Sequence, residues 1–108
     1  MDNLDTIIEH FVDAIKATKE YREYQEEKEK VRQWPELKEQ IDDFRRKNFK
    51  IQQITDENRL LEEMEKFENQ YEKFREDKRV HDFLEKELAF CRMMQYVNNG
   101  IMEALDFE

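Results

Sequence analysis

From Trp34 onward, apolar side chains recur every three or four positions: first Trp34, Leu37, Ile41, Phe44 and Ile51, then Leu60, Met64, Phe67, Tyr71 and Phe74. That spacing predicts two amphipathic helices, because a helical turn brings such positions onto one face. Nearly everything between them is Glu, Lys, Gln, Arg or Asp, so each helix can bury one narrow stripe and leaves the rest in water. Pro35 suits the first turn of a helix, where a missing N–H costs nothing and Glu36 meets the positive end of the dipole. The period runs on to about Ile54, and Thr55, Asp56 and Asn58 then offer cap and turn groups before Leu60 restarts it. Arms of about twenty residues, roughly 30 Å long, joined by so short a connection, predict a long antiparallel coiled-coil-like hairpin over 35–74.

Upstream, Leu4, Ile8, Phe11 and Ile15 form one stripe that Ile7, Val12 and Ala14 widen, which predicts a helix with a substantial buried face. The next series, Tyr21, Tyr24, Lys28 and Val31, is displaced by one position, and Thr18 is a candidate N-cap for it. A bend or break therefore belongs at 17–19. After Asp77, Val80, Phe83, Leu84, Leu88, Phe90, Cys91, Met93, Met94 and Val97 begin an apolar arc of roughly 220° at about 100° per residue. One hairpin cannot cover so wide an arc. The spare surface should meet the N-terminal helices, another copy of the chain or a different protein, so oligomerisation is expected, with a dimer as the unit. The arc continues in phase through Ile101, Met102, Ala104 and Leu105, which predicts a helix running through Gly100 rather than stopping at Asn98, with the glycine where another helix comes close. The expectation is a single all-α domain over 1–108, an elongated helical bundle with helices near 3–17, 19–32, 35–54, 57–76 and 78–105.

Composition sharpens this picture. With 38% hydrophobic and 44% charged residues in 108, the chain lies toward the long-helix class, and its 12% aromatic content in regular register argues against disorder. A net charge of −9 weighs against direct binding to nucleic acid, whose phosphates call for clustered cations. The richest basic run, Arg45, Arg46 and Lys47, follows Asp42 and Asp43 and reads as a mixed-charge helix face rather than an RNA contact. No apolar run is long enough for a membrane span, and Asp2, Asp5 and Glu9 stand where a secretion signal would carry cations. A cytoplasmic protein without membrane contact is expected, and the lone Cys91, which has no internal disulfide partner, agrees with a reducing compartment.

Chemistry is sparse. The chain has no serine, and Cys91 lies inside the apolar arc, where it reads as a buried small hydrophobe rather than a catalytic thiol. Ile7 precedes His10 and Lys78 precedes His81 where a di-iron bundle would place Glu, and His81 one turn before Glu85 reads as an exposed helical pair. One glycine leaves no phosphate-cradling loop. No metal or cofactor is expected. Glu87 is the exception among many carboxylates, because it falls near the middle of the apolar arc; a Lys, Arg or Tyr from the hairpin or another subunit should reach it. It reads as a structural pair or the rim of an assembly, with no His or Lys constellation to support acid–base work. Asn48 and Asn98 interrupt apolar seams and read as register or oligomer-state devices. The Phe83, Phe90, Met93, Met94 and Val97 stripe reads as core, with a partner surface as the alternative.

The run Thr-Lys-Glu-Tyr-Arg-Glu-Tyr from Thr18 to Tyr24, within 14–31, is followed by Pro35 opening a heptad hairpin and by Val-His-Asp-Phe-Leu-Glu-Lys-Glu from Val80 to Glu87. In this order and spacing the chain resembles the YlbF/YmcA family of small bacterial helical proteins over nearly its whole length. It departs from the family pattern at three places. Trp34 replaces a small acidic or Asn residue, Asp77, Lys78 and Arg79 replace an Asn-Pro opening, and Lys86 replaces an Ala. The resemblance implies an all-α, oligomeric fold and a non-catalytic adaptor in the control of competence, sporulation and biofilm formation, assisting an endoribonuclease. Some members are linked to an iron–sulfur cluster; Cys91 alone could give one thiolate, so the cofactor is not carried over. The leading expectation is a cytoplasmic regulatory adaptor that binds itself and another regulatory protein, with Phe83, Glu87, Phe90, Met93, Met94, Val97 and Ile101 at the interface. The alternative is a structural oligomer or chaperone-like helical binding protein, and an enzyme is a distant third.

Overall fold

The computed structural model describes residues 2–106, and every regular element among them is an α-helix. In chain order these are α1 (Asp2–Lys16), α2 (Lys19–Arg32), α3 (Pro35–Gln52), α4 (Glu57–Gln70), α5 (Glu72–Glu76) and α6 (Lys78–Ala104). Local chemistry explains most of the boundaries. Thr18 caps α2, its Oγ1 accepting from the Tyr21 N–H at 3.2 Å and donating to the Ile15 carbonyl at 2.6 Å. Pro35 opens α3, but the preceding Trp34 makes no side-chain cap bond. Asp56 caps α4 by accepting from the N–H groups of Asn58 and Arg59 at 3.0 and 3.3 Å. Asp77 does the same for α6, accepting from the Arg79 N–H at 2.9 Å.

The chain divides into two compact units, one of residues up to Glu29 with those from Phe83 onward, the other Lys30–Asp82. In the second, α3 and α4 pack on each other, and Leu37, Ile41, Phe44, Phe67 and Val80 are buried. Phe44 is the centre of a ring cluster, with centroids 5.0 Å from Phe67, 5.2 Å from Tyr71 and 5.5 Å from Phe74. Arg75 lies over Phe44 and Phe67, and Lys47 over Tyr71, so cations close the cluster toward water. The single helix expected over 57–76 is interrupted here. Tyr71 leaves helical geometry at φ −106° and ψ 13° and ends α4, and α5 restarts at Glu72. The break falls where Phe67, Tyr71 and Phe74 all crowd onto Phe44, so tertiary ring packing overrides a helical run that the spacing alone would continue.

The other unit holds α1, most of α2 and most of α6. Tyr24 and Phe83 are its buried apolar residues. The buried face expected of the first helix is absent: no residue of α1 is buried, and Leu4, Ile7, Ile8, Phe11 and Val12 remain exposed. Its amphipathic pattern is real, but among the described residues none of its apolar side chains is buried. The last helix does run through Gly100 to Ala104, as its phase predicted. The expected close approach there is not seen, for nothing lies within 4 Å of a Cβ built on that glycine.

Candidate functional site

The best-organised polar and aromatic cluster lies between α2 and α6, within the unit that carries both chain ends. The Thr18 cap fixes the phase of α2, which turns Tyr21, Tyr24 and Glu27 toward α6. Tyr24 is 9% exposed, with its ring stacked on Phe90 at 5.4 Å and edge-on to Phe83 at 5.8 Å. Its hydroxyl donates to Oε2 of Glu87 at 3.2 Å. Lys28 Nζ stands 5.0 Å over the same ring, and Tyr21 meets Phe90 edge-on at 5.9 Å. One residue earlier on each helix than Tyr24 and Glu87, Lys86 Nζ pairs with Glu23 Oε2 at 3.1 Å. That hydrogen bond holds the Glu23 carboxyl below the usual carboxylate range and raises the Lys86 ammonium above its ordinary value, with the mutual charge attraction adding to both.

Glu87 therefore has the kind of partner the sequence demanded, with two differences. The partner comes from α2 rather than from the hairpin or another subunit, and the carboxylate is half-buried rather than fully enclosed. Glu27 is the residue that sequence reasoning missed. It is the buried carboxylate of the described chain at 9% exposure, three residues after Tyr24 and four before Val31, so the stripe spacing could have found it in place of Lys28.

The remaining expected interface residues do not form one class. Phe83 is turned inward and 4% exposed. Phe90, Met93, Met94 and Val97 are half-buried, and Ile101 is exposed. Leu88, Tyr96, Met102 and Leu105 extend this open surface. Cys91 is exposed, which corrects the expectation of a buried small hydrophobe. The arc on α6 is wider than the strip that α2 covers, and Cys91 falls outside that strip. Asn48 is half-buried and Asn98 exposed.

Trp34, Asp77, Arg79 and Lys86, where the resemblance implied other residues, each make a specific contact. Arg79 lies 5.1 Å over the Trp34 ring, and its guanidinium donates to both carboxylate oxygens of Asp77, at 3.2 and 2.8 Å. That bidentate bond holds the Asp77 carboxyl low. Lys86 supplies the ion pair to Glu23.

Chemically the cluster joins the rings of Tyr21, Tyr24, Phe83 and Phe90 to one phenol–carboxylate hydrogen bond, from Tyr24 to Glu87, and one ion pair, Glu23 with Lys86. Among the described residues no group of three or more His, Cys, Asp or Glu is placed to hold a metal ion. No helix there is long and apolar enough to cross a membrane. Compared with protein families, residues 5–106 match the one described as control of competence regulator ComK, YlbF/YmcA. Neither a curated protein nor a solved structure gives a match.

Proposed function

The chain belongs to the YlbF/YmcA family, and we propose that it is a non-catalytic regulatory adaptor of the cytoplasm that binds itself and another regulatory protein through helix faces. Any effect on transcripts is exerted through an endoribonuclease partner. The observation that carries this reading is the match over 5–106 to a family described by its control of a competence regulator. Two features support it. Apolar side chains stand open on α1 and on or just beyond the C-terminal half of α6, with Tyr96 at 80% and Leu105 at 70% exposure, more than a solitary chain of this charge would keep in water. The net charge of −9 disfavours direct contact with RNA.

On this reading α3 and α4 are the arms of an antiparallel coiled-coil-like hairpin. Support comes from Phe44 meeting Phe67, Tyr71 and Phe74, while Ile51 and Ile54 share a cavity with Arg59 and Glu63. The same exposed Met102 and Leu105 favour a second reading, a chaperone-like helical binder. Deleting the gene in its own bacterium separates the two. The adaptor reading expects a loss of competence-gene expression that the intact chain restores. Normal expression in the deletion strain, turnover of RNA by the purified chain, or tight salt-sensitive RNA binding would each overturn it.

A further inference from the structure

In the 30–82 unit an open cavity of about 350 Å³ lies along α3 and α4. Lys47 and Lys50, one turn apart on α3, and Arg59 and Lys66, two turns or about 10 Å apart on α4, bring four cations to its rim against one carboxylate, Glu63. That is a local reversal of sign in a chain of net charge −9. Elsewhere on α3 the cations are neutralised in place: Arg45 pairs with Asp42 and Arg46 with Asp43. At the cavity, Lys66 pairs with Glu62 and Glu63 at 3.7 Å, and Lys47 stands over the Tyr71 ring. The Lys50 and Arg59 side chains make no ion pair among the described residues. The floor is apolar, with Ile51 and Ile54 half-buried beneath the cations.

From this arrangement we infer that the α3–α4 groove receives an acidic amphipathic helix of the partner protein, whose carboxylates meet the two ends of the groove and whose apolar side chains between them enter it. The inference rests on the adaptor reading and gives its partner a chemistry. Arg59 and Lys66 stand two turns apart along α4, a spacing that matches carboxylates at i and i+7 of a helix laid along the groove. Aliphatic side chains between them suit Leu or Phe at i+3 and i+4. RNA is disfavoured because single-strand binding uses rings open for stacking, and Phe67, the ring lining this cavity, is 7% exposed.

The test uses the full chain and a fluorescein-labelled helical peptide with Glu at i and i+7, Leu at i+3 and Phe at i+4. Its Glu→Gln twin and a single-stranded oligouridine serve as comparison probes, and binding is read by anisotropy. The acidic peptide should bind, weaken as salt rises, and lose roughly tenfold in affinity when both Glu are Gln. The Lys50→Glu/Arg59→Glu chain should lose at least as much, whereas Lys73→Glu, a reversal away from the cavity, should change little. Circular dichroism checks folding, and Lys50→Gln/Arg59→Gln replaces the reversal if helicity falls. Peptide affinity unchanged in the groove variant, equal binding of the Gln twin, or preference for oligouridine would each overturn the inference. Those results concern the groove alone, since competence in the deletion strain is read independently.

Discussion

Tyr24 joins two kinds of force in one side chain: its ring is enclosed by Phe83 and Phe90, and its hydroxyl satisfies the half-buried Glu87. Tyr24→Phe keeps the rings and removes the hydrogen bond, and should lower stability by about 1 kcal/mol in urea denaturation. Tyr24→Ala removes both and should cost about 3 kcal/mol or more. Equal midpoints for wild type and Tyr24→Phe would show that the hydroxyl contributes nothing. The Glu23–Lys86 pair makes a separate prediction in pH. Glu23 has a folded pKa below its ordinary value, so its contribution is present above that value and disappears as pH falls through the folded pKa. Lys86 has a raised folded pKa, so its contribution is present below the ordinary value of 10.5 and disappears as pH rises through the folded one. Lys86→Ala should therefore destabilise the chain at neutral pH, with the difference from wild type shrinking in acid below the usual carboxylate range and again in strong alkali. A difference that stays constant from neutral to acid pH would mean that Lys86 acts through packing alone.

Helix boundaries were legible wherever a single residue type sets them. Thr18, Pro35 and Asp56 sit at boundaries the sequence marked, and Asp77 stands one residue before the expected start of the last helix. Boundaries set by tertiary packing were not legible. The break at Tyr71 depends on three rings converging on Phe44 from another helix, and no local signal announces it. Burial was legible only in part, for the same reason. Periodicity identifies the apolar faces of α1 and α6 but not whether anything in the chain covers them, so Cys91 and the α1 stripe were placed inside and lie outside. At the candidate site the sequence pointed to Glu87 but not to Tyr24 as its partner, because a pairing across sixty-three positions is a property of the fold. Gly100 supplies a prediction at this scale. It lies inside α6 with open space around its missing Cβ, so Gly100→Ala should raise helicity and stability by about 0.5 kcal/mol, less than in mid-helix because the helix ends at Ala104. A lower thermal midpoint, or a change in oligomeric state, would reveal a helix from another copy packed against that glycine.

For the whole molecule, the question is how a chain with eight buried apolar residues among those described carries so much open apolar surface. Leu4, Ile7, Ile8, Phe11 and Val12 on α1, with Leu88, Tyr96, Ile101, Met102 and Leu105 on or just beyond α6, all belong to the unit that contains both chain ends. The charged residues of α3 and α4 instead form ion pairs along their own helices, at Lys38 with Asp42 and Lys66 with Glu62. Self-association is therefore predicted through α6 with α1 contributing, because removing such side chains from water is worth about 25 cal/mol per Å² and a lone chain forgoes it. Ile101 is exposed, so Ile101→Asp leaves the internal contacts of Tyr24 and Phe83 untouched while placing a charge on the associating face. Sedimentation of the wild type should show a dimer or larger species at micromolar concentration, and Ile101→Asp should shift it toward monomer without loss of helicity. A wild-type monomer under those conditions, or an Ile101→Asp variant that associates as well as the parent, would leave the open apolar face for a different protein to cover.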